Sequence, residues 1–365
     1  PSPPRKEPPP RMTTDNQRRI VFLDYMRIFA FTSVLIGHKF YPAMERFVSD
    51  QNNNELARLA LELCMPLFYG GVVGVIVFFL VSGYIITHVL NYERPFEFLI
   101  KRAFRIYPLY VSAVIIQAFL DHNFNNIQTP NVGVMIPRIL LLGDFFNTPY
   151  SLSGVEWTLR VEILFYLYMA ALKKLGALDK PRILPWTYIA TVAAIFLLPA
   201  FPTTGPLAYG YTSIYFGILL VGSCIYLAKN KLSTAPSSLL CAALIVAASL
   251  LMIEKYQPTW GGMNFIYYGL LIFCLAMQFE NRLTDGKHIK LLSGLTFSIY
   301  LSHNWLTDYI VEALKTIQTV VPSNSLAAMP ILFGLCYLAH RAIEKPATHA
   351  GRAVAVTLPA HKPKL

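Results

Sequence analysis

Apolar residues gather in long runs separated by short polar segments, at approximately 20–41, 66–90, 104–120, 155–172, 184–201, 207–228, 235–253, 262–279, 291–314 and 327–343. Runs of roughly 20 residues are long enough to cross a hydrocarbon core of about 30 Å as helices. A shorter piece at 134–146 carries Pro137, Arg138 and Asp144. It is expected to be re-entrant or interfacial rather than a full crossing. The pattern predicts an all-α, polytopic integral membrane helical bundle of about ten transmembrane helices with one re-entrant segment.

Composition agrees. The chain has 365 residues, 55% hydrophobic and only 14% charged, with a mean hydropathy of +0.47. An ordinary soluble domain carries about 25% charge, so a soluble enzyme and a disordered chain are both excluded. The net charge of +11 does not point to nucleic acid, because the basic residues sit in short segments between apolar runs. With ten crossings, most lysines and arginines fall on the side of the two termini. Examples are Arg18 and Arg19, Arg94 to Arg105, Lys173 to Arg182, Lys229, Lys290, Arg341 and Arg352. The opposite loops, such as DHNFNNIQTP, have almost none. This asymmetry places both termini in the cytoplasm, and counting 134–146 as a crossing would reverse it.

The ends read more simply. Residues 1–18 are proline-rich and expected to be a disordered tail, with Met12 a candidate natural start, and no cleavable signal peptide is visible. Residues 347–365 read as a short cytoplasmic C-terminal tail. The five cysteines (Cys64, Cys224, Cys241, Cys274 and Cys336) lie far apart, with neither a C-x-x-C nor a zinc spacing. They are read as small apolar residues, and no metal is expected.

Charged side chains are costly within a span, about 2.5–3.5 kcal/mol on insertion scales, and tend to mark sites. The first run holds Asp24, Arg27 and His38. Arg27 and His38 share a helical face about 16 Å apart along the axis. Asp24 and Arg27, at i,i+3, suit a local ion pair equally well, with His38 resting at the interface. Ser82 and Gly83, within the second run, are small residues that permit close helix contact. Arg102 and Arg105 share a face at the cytoplasmic mouth of the third run, with Lys101 adjacent, and suit either phosphate binding or membrane anchoring. Glu156, Arg160 and Glu162 belong to the outer half of the fourth run. Glu162 is able to orient a histidine or accept a proton, or to join a structural Glu–Arg pair. His303 falls in the outer half of the ninth run, three residues after Tyr300; it suits that outer site or a bond to neighbouring backbone. Arginines below and histidines above would accommodate a long anionic ligand entering from the cytoplasm, of about the length of extended coenzyme A.

Together these segments resemble the acyltransferase-3 family of bacterial integral-membrane acyltransferases, from about residue 18 to 346. Arg27 and His38 match an R-x10-H signature, and GVIVFFLVSGYII resembles the second-span consensus. Arg102 and Arg105 match R-x-x-R within F-x-x-K-R-x-x-R-I-x-P at Phe98 to Pro108. EWTLRVEILFY, GLTFSIYLSHN and IEKP at 343–346 resemble the later elements in the expected order.

The resemblance implies an acyltransferase-3 transmembrane domain over 19–346, in the bacterial inner membrane. It would transfer an acyl group, usually acetyl from acetyl-CoA, to a hydroxyl of a surface or exported glycan such as O-antigen or exopolysaccharide, or of a small glycoside such as a macrolide. His38 would be the catalytic base or acyl carrier, Glu162 would hold its tautomer or assist proton transfer, and His303 would assist. Arg102 and Arg105 would bind the nucleotide phosphates, and Arg27 the pantetheine or developing charge. The SGNH esterase-like domain of some members is not expected, so transfer is completed by the membrane domain or by a separate periplasmic partner. A transporter or glycolipid flippase also suits intramembrane charge, although no internal repeat of the kind common in transporters is evident. A purely structural protein leaves those charges without a reason.

Overall fold

The computed structural model describes residues 19–203, 209–316 and 325–357. The expected N-terminal tail and residues 358–365 lie outside this range. Every apolar run contains a helix, and no strand occurs among the described residues. In chain order the helices are α1 (Val21–Lys39), α2 (Tyr41–Ser49), α3 (Glu55–Cys64), α4 (Val72–Leu90), α5 (Pro95–Phe124), α6 (Val132–Ile139), α7 (Gly143–Phe146) and α8 (Trp157–Lys174). They continue with α9 (Leu184–Leu197), α10 (Tyr211–Lys229), α11 (Ala235–Tyr256), α12 (Phe265–Gln278), α13 (Lys287–Ser302), α14 (Trp305–Thr316), α15 (Ser325–Ala339) and α16 (Lys345–Thr357). Among the described residues six helical stretches are long and apolar enough to cross a membrane, while α9 and α12 are shorter apolar helices.

Helix α10 is the axis of the bundle. Every residue from Tyr211 to Leu227 is buried, packed by α4, α11, α8 and α9. Lipid tails are as apolar as leucine, so close packing and hydrogen bonds must select the partners. Glycine supplies the closeness: a Cβ at Gly83 would strike the Leu219 carbonyl, and one at Gly222 would strike the Leu80 carbonyl. Hydrogen bonds supply the rest. Thr87 Oγ1 donates to Ser223 Oγ at 2.6 Å, and Tyr188 OH lies 2.7 Å from the same oxygen, joining α4, α10 and α9.

Around this axis, α1 packs on α4, α13 and α12, and α16 packs on α5. The 30 residues of α5 make a rod about 45 Å long at 1.5 Å per residue, longer than the hydrocarbon core. Arg102 and Arg105 lie in its N-terminal half.

Helices α6 and α7, of 8 and 4 residues, are far too short to cross. Helix α6 packs on α5 and α7, and ion pairs tie the segment to α8. Buried Arg160 pairs with Asp144 of α7 and with Glu156 at 3.1 Å, and Tyr211 OH donates to Asp144. A Glu–Arg pair of the fourth span, made by Glu156 and not by Glu162, thus clamps the short segment.

Two expectations change. The ninth apolar run is not one helix but α13 and α14, broken at His303 and Asn304. Side chains there engage the local backbone: His303 Nδ1 contacts the Tyr300 carbonyl, Trp305 Nε1 donates to the Leu301 carbonyl, and Thr307 Oγ1 donates to the His303 carbonyl. Such bonds compete with the regular helical ladder. The second change is at the C-terminus, where the expected tail is helical through Thr357 and docked, because Gly351 lets α16 approach Phe104 of α5.

Candidate active site

Helix α1 carries the site from end to end. At its C-terminal end His38 is exposed, and its ring centroid lies 5.2 Å from that of buried His303 with a 52° tilt. The His303 ring is fixed. Its Nδ1 lies 2.6 Å from the Tyr300 carbonyl, and a carbonyl only accepts, so Nδ1 carries the proton. Nε2 is left as a bare, buried lone pair without a hydrogen-bond partner. Tyr300 is held in turn by its hydroxyl, 2.7 Å from Thr158 Oγ1 on α8. Beside the two rings Lys39 donates to Asp308 at 2.6 Å, tying α1 to α14.

Glu162 lies on α8, and Tyr300, whose ring contacts His303, stands in its field. Its Oε1 accepts from Ser82 Oγ at 2.6 Å, linking α8 to α4. Tyr166, one turn along α8, lies beside Glu162, Arg102 and Arg105. Arg102 sits 5.2 Å from the Phe98 ring centroid and 6.0 Å from that of Tyr166, and its Nε is buried without a partner. The hydrogen bond of Glu162 thus joins it to Ser82. The carboxylate occupies the stretch between the histidines and the arginines.

At the other end of α1 a cleft of about 510 Å³ opens. Arg19, Arg27, Arg105, Lys290, Lys345 and Arg352 line it, against the carboxylates of Asp24 and Glu344, with His88, His340 and His349 also on its walls. The local Asp24–Arg27 pair exists but is loose, at 3.5 Å. Asp24 is held more closely by Arg19 Nε and by Ser293 Oγ, each at 2.5 Å, which leaves Arg27 most of its donors. Glu344 is likewise engaged, by Ser298 Oγ and His340 Nδ1, both at 2.9 Å. With its acids occupied internally, the cleft presents cations.

The structure thus brings His38 to His303, and Arg27 and Arg105 into one cleft, with Arg102 behind them. Sequence reading missed Arg19, Lys290, Lys345 and Arg352 as site residues. The last two carried a signal: Lys345, His349 and Arg352 recur at i, i+4 and i+7, one face of a helix. Ser82, which its sequence context presents as a packing residue, is the partner of Glu162.

The model of a family described as an acyltransferase domain matches residues 20–341 of the chain. No curated protein and no solved structure matches it.

Proposed function

The chain belongs to the acyltransferase-3 family, and on that premise we propose that it is a membrane O-acyltransferase moving an acyl group, acetyl in the simplest case, from cytoplasmic acyl-CoA to a sugar hydroxyl of a surface or exported glycan. The observation that carries this reading is the polarity of α1, with a cationic cleft at one end and a pair of imidazoles at the other. The 3′-phosphate and diphosphate of coenzyme A bind at the cleft, where Arg105, Lys345 and Arg352 supply charge-assisted hydrogen bonds. Pantetheine follows α1 past Arg27 and Arg102, and the thioester reaches His38. The positive-inside asymmetry supports a cleft open to the cytoplasm, in the bacterial inner membrane.

His38 acts as the base. It takes the proton of the acceptor hydroxyl as the oxygen attacks the thioester carbonyl; the C–S bond breaks, and the leaving thiolate recovers that proton. Bare Nε2 of His303 accepts a hydrogen bond at this locus and so orients either the His38 ring or the hydroxyl. Glu162, bonded to Ser82, balances the charge of Arg102 and holds it beside the donor's path.

The test is a deletion strain of the source organism complemented with wild type or His38→Ala. Loss of general-base catalysis costs typically 10²–10⁴-fold, so base-labile acyl esters on exported glycans fall to background while the purified variant still binds acetyl-CoA. Normal ester content in the variant overturns the assignment. A protein that moves a glycolipid without forming any ester overturns acyl transfer itself.

A further inference from the structure

Beyond His38, away from the cationic cleft, lies a second cavity of about 770 Å³. Its walls include Tyr41 and Glu45 of α2, Glu62 of α3, Tyr69 in the following turn, Trp260, and Tyr268 of α12. The ring centroids of Tyr41 and Tyr69 are 5.3 Å apart, and those of Tyr69 and Trp260 are 5.6 Å apart, both edge to face. Among the described residues Glu45 and Glu62 have no cation or hydrogen-bond partner, and no lysine or arginine lines the cavity. This is the inverse of the cleft at the other end of α1.

The cavity is seated on the residues that present His38. Gly37, immediately before it, packs so closely that a Cβ would strike the backbone of Phe68 and Gly71. Ser33 Oγ donates to the Leu67 carbonyl at 2.7 Å. The turn bearing Tyr69 is thereby fixed to the outer end of α1. Gly70, with φ of +53°, keeps that turn tight against Trp260, whose ring lies 2.8 Å from where a Cβ would stand.

We propose that this cavity binds the acceptor, as one or more neutral sugar rings stacked on Tyr69 and Trp260 with hydroxyls donating to Glu45 and Glu62; the inference rests on the acyl-transfer reading above. A pyranose offers an apolar C–H face for an aromatic ring and hydroxyl donors for carboxylates. The volume lies within the roughly 300–1,000 Å³ of ordinary ligand sites. Unpaired carboxylates repel phosphates, so acyl-CoA and nucleotides are excluded. A small ammonium ion in an aromatic cage would leave most of the space unfilled.

The test compares Tyr69→Ala and Trp260→Ala with Tyr69→Phe and Trp260→Phe in the complemented strain, reading acyl esters on exported glycans and, on purified protein, the thermal stabilisation given by acetyl-CoA. We expect the alanine variants to lose roughly tenfold in ester content, the equivalent of one stacked ring. The phenylalanine variants regain it, and acetyl-CoA stabilisation stays at the wild-type level in all four. Undiminished esters in the alanine variants overturn the inference. Loss of acetyl-CoA stabilisation alongside the esters also overturns it, since the rings would then be serving the fold. Absence of esters with wild type refutes acyl transfer, a result visible before any variant is compared.

Discussion

Replacing Arg105 by alanine separates a ligand-binding arginine from a membrane anchor, because the two roles give opposite signs. Arg27 lies in the field of Arg105, Arg102 and Arg19, offset by Asp24. Like charges gathered in one cleft destabilise the empty protein, so Arg105→Ala should raise the melting temperature of the unliganded form. The same change removes a charge-assisted hydrogen bond to phosphate, worth about 1.5–3 kcal/mol. Arg105 is half-buried, which favours the lower end, or about a tenfold loss of affinity. At a ligand concentration of about 100 Kd, wild type gains about 2.7 kcal/mol of stability; a variant tenfold weaker gains about 1.4 kcal/mol at the same concentration. The assay is thermal unfolding in nanodiscs with and without acetyl-CoA, across a salt series. The variant should start higher, gain about half as much, and lose part of its salt dependence. A lower starting temperature with an unchanged gain would refute the reasoning and return Arg105 to anchoring.

Three further outcomes follow from the packing. Ser82→Ala removes the partner of Glu162 and should destabilise by about 1–3 kcal/mol, with acetyl-CoA affinity falling as Arg102 loses its neighbour's alignment; thermal unfolding and donor titration read both. Gly222→Val drives a side chain into the Leu80 backbone and should cost about 1–3 kcal/mol or more, seen as reduced melting temperature. Arg160→Ala leaves Asp144 and Glu156 buried without their cation and should cost about 3–5 kcal/mol, whereas a Lys173→Ala control on an exposed pair should change stability by less than about 1 kcal/mol.

Hydropathy runs and spacing within one helix were readable from sequence, because both depend on local periodicity. Arg27 and His38 on α1, and Arg102 and Arg105 on α5, are of this kind, as is the failure of 134–146 to cross. Contacts between distant segments were not readable. Ser82 and Glu162 meet because Gly83 and Gly222 set the spacing of α4 and α10 while α8 packs on both. In lipid no hydrophobic gradient selects such neighbours, so a hydropathy profile carries no record of them. The break at His303 was hidden for a different reason: its cause is a set of side-chain bonds to local carbonyls, invisible in an apolar count. Helix α16 was overlooked because short helices with mixed polar faces resemble tails until their partner, here α5, is known.

The central claim is that the donor cleft and the imidazole pair open to opposite sides of one membrane. Sided thiol labelling tests it directly. Exposed Cys64 and Cys274 are replaced by serine, and Arg352→Cys and His38→Cys are introduced singly and challenged with a membrane-impermeant maleimide in intact spheroplasts and in inside-out vesicles. Position 352 is expected to react only in inside-out vesicles and to be shielded by acetyl-CoA, while position 38 reacts only in spheroplasts. Labelling of both positions from the same side would contradict it.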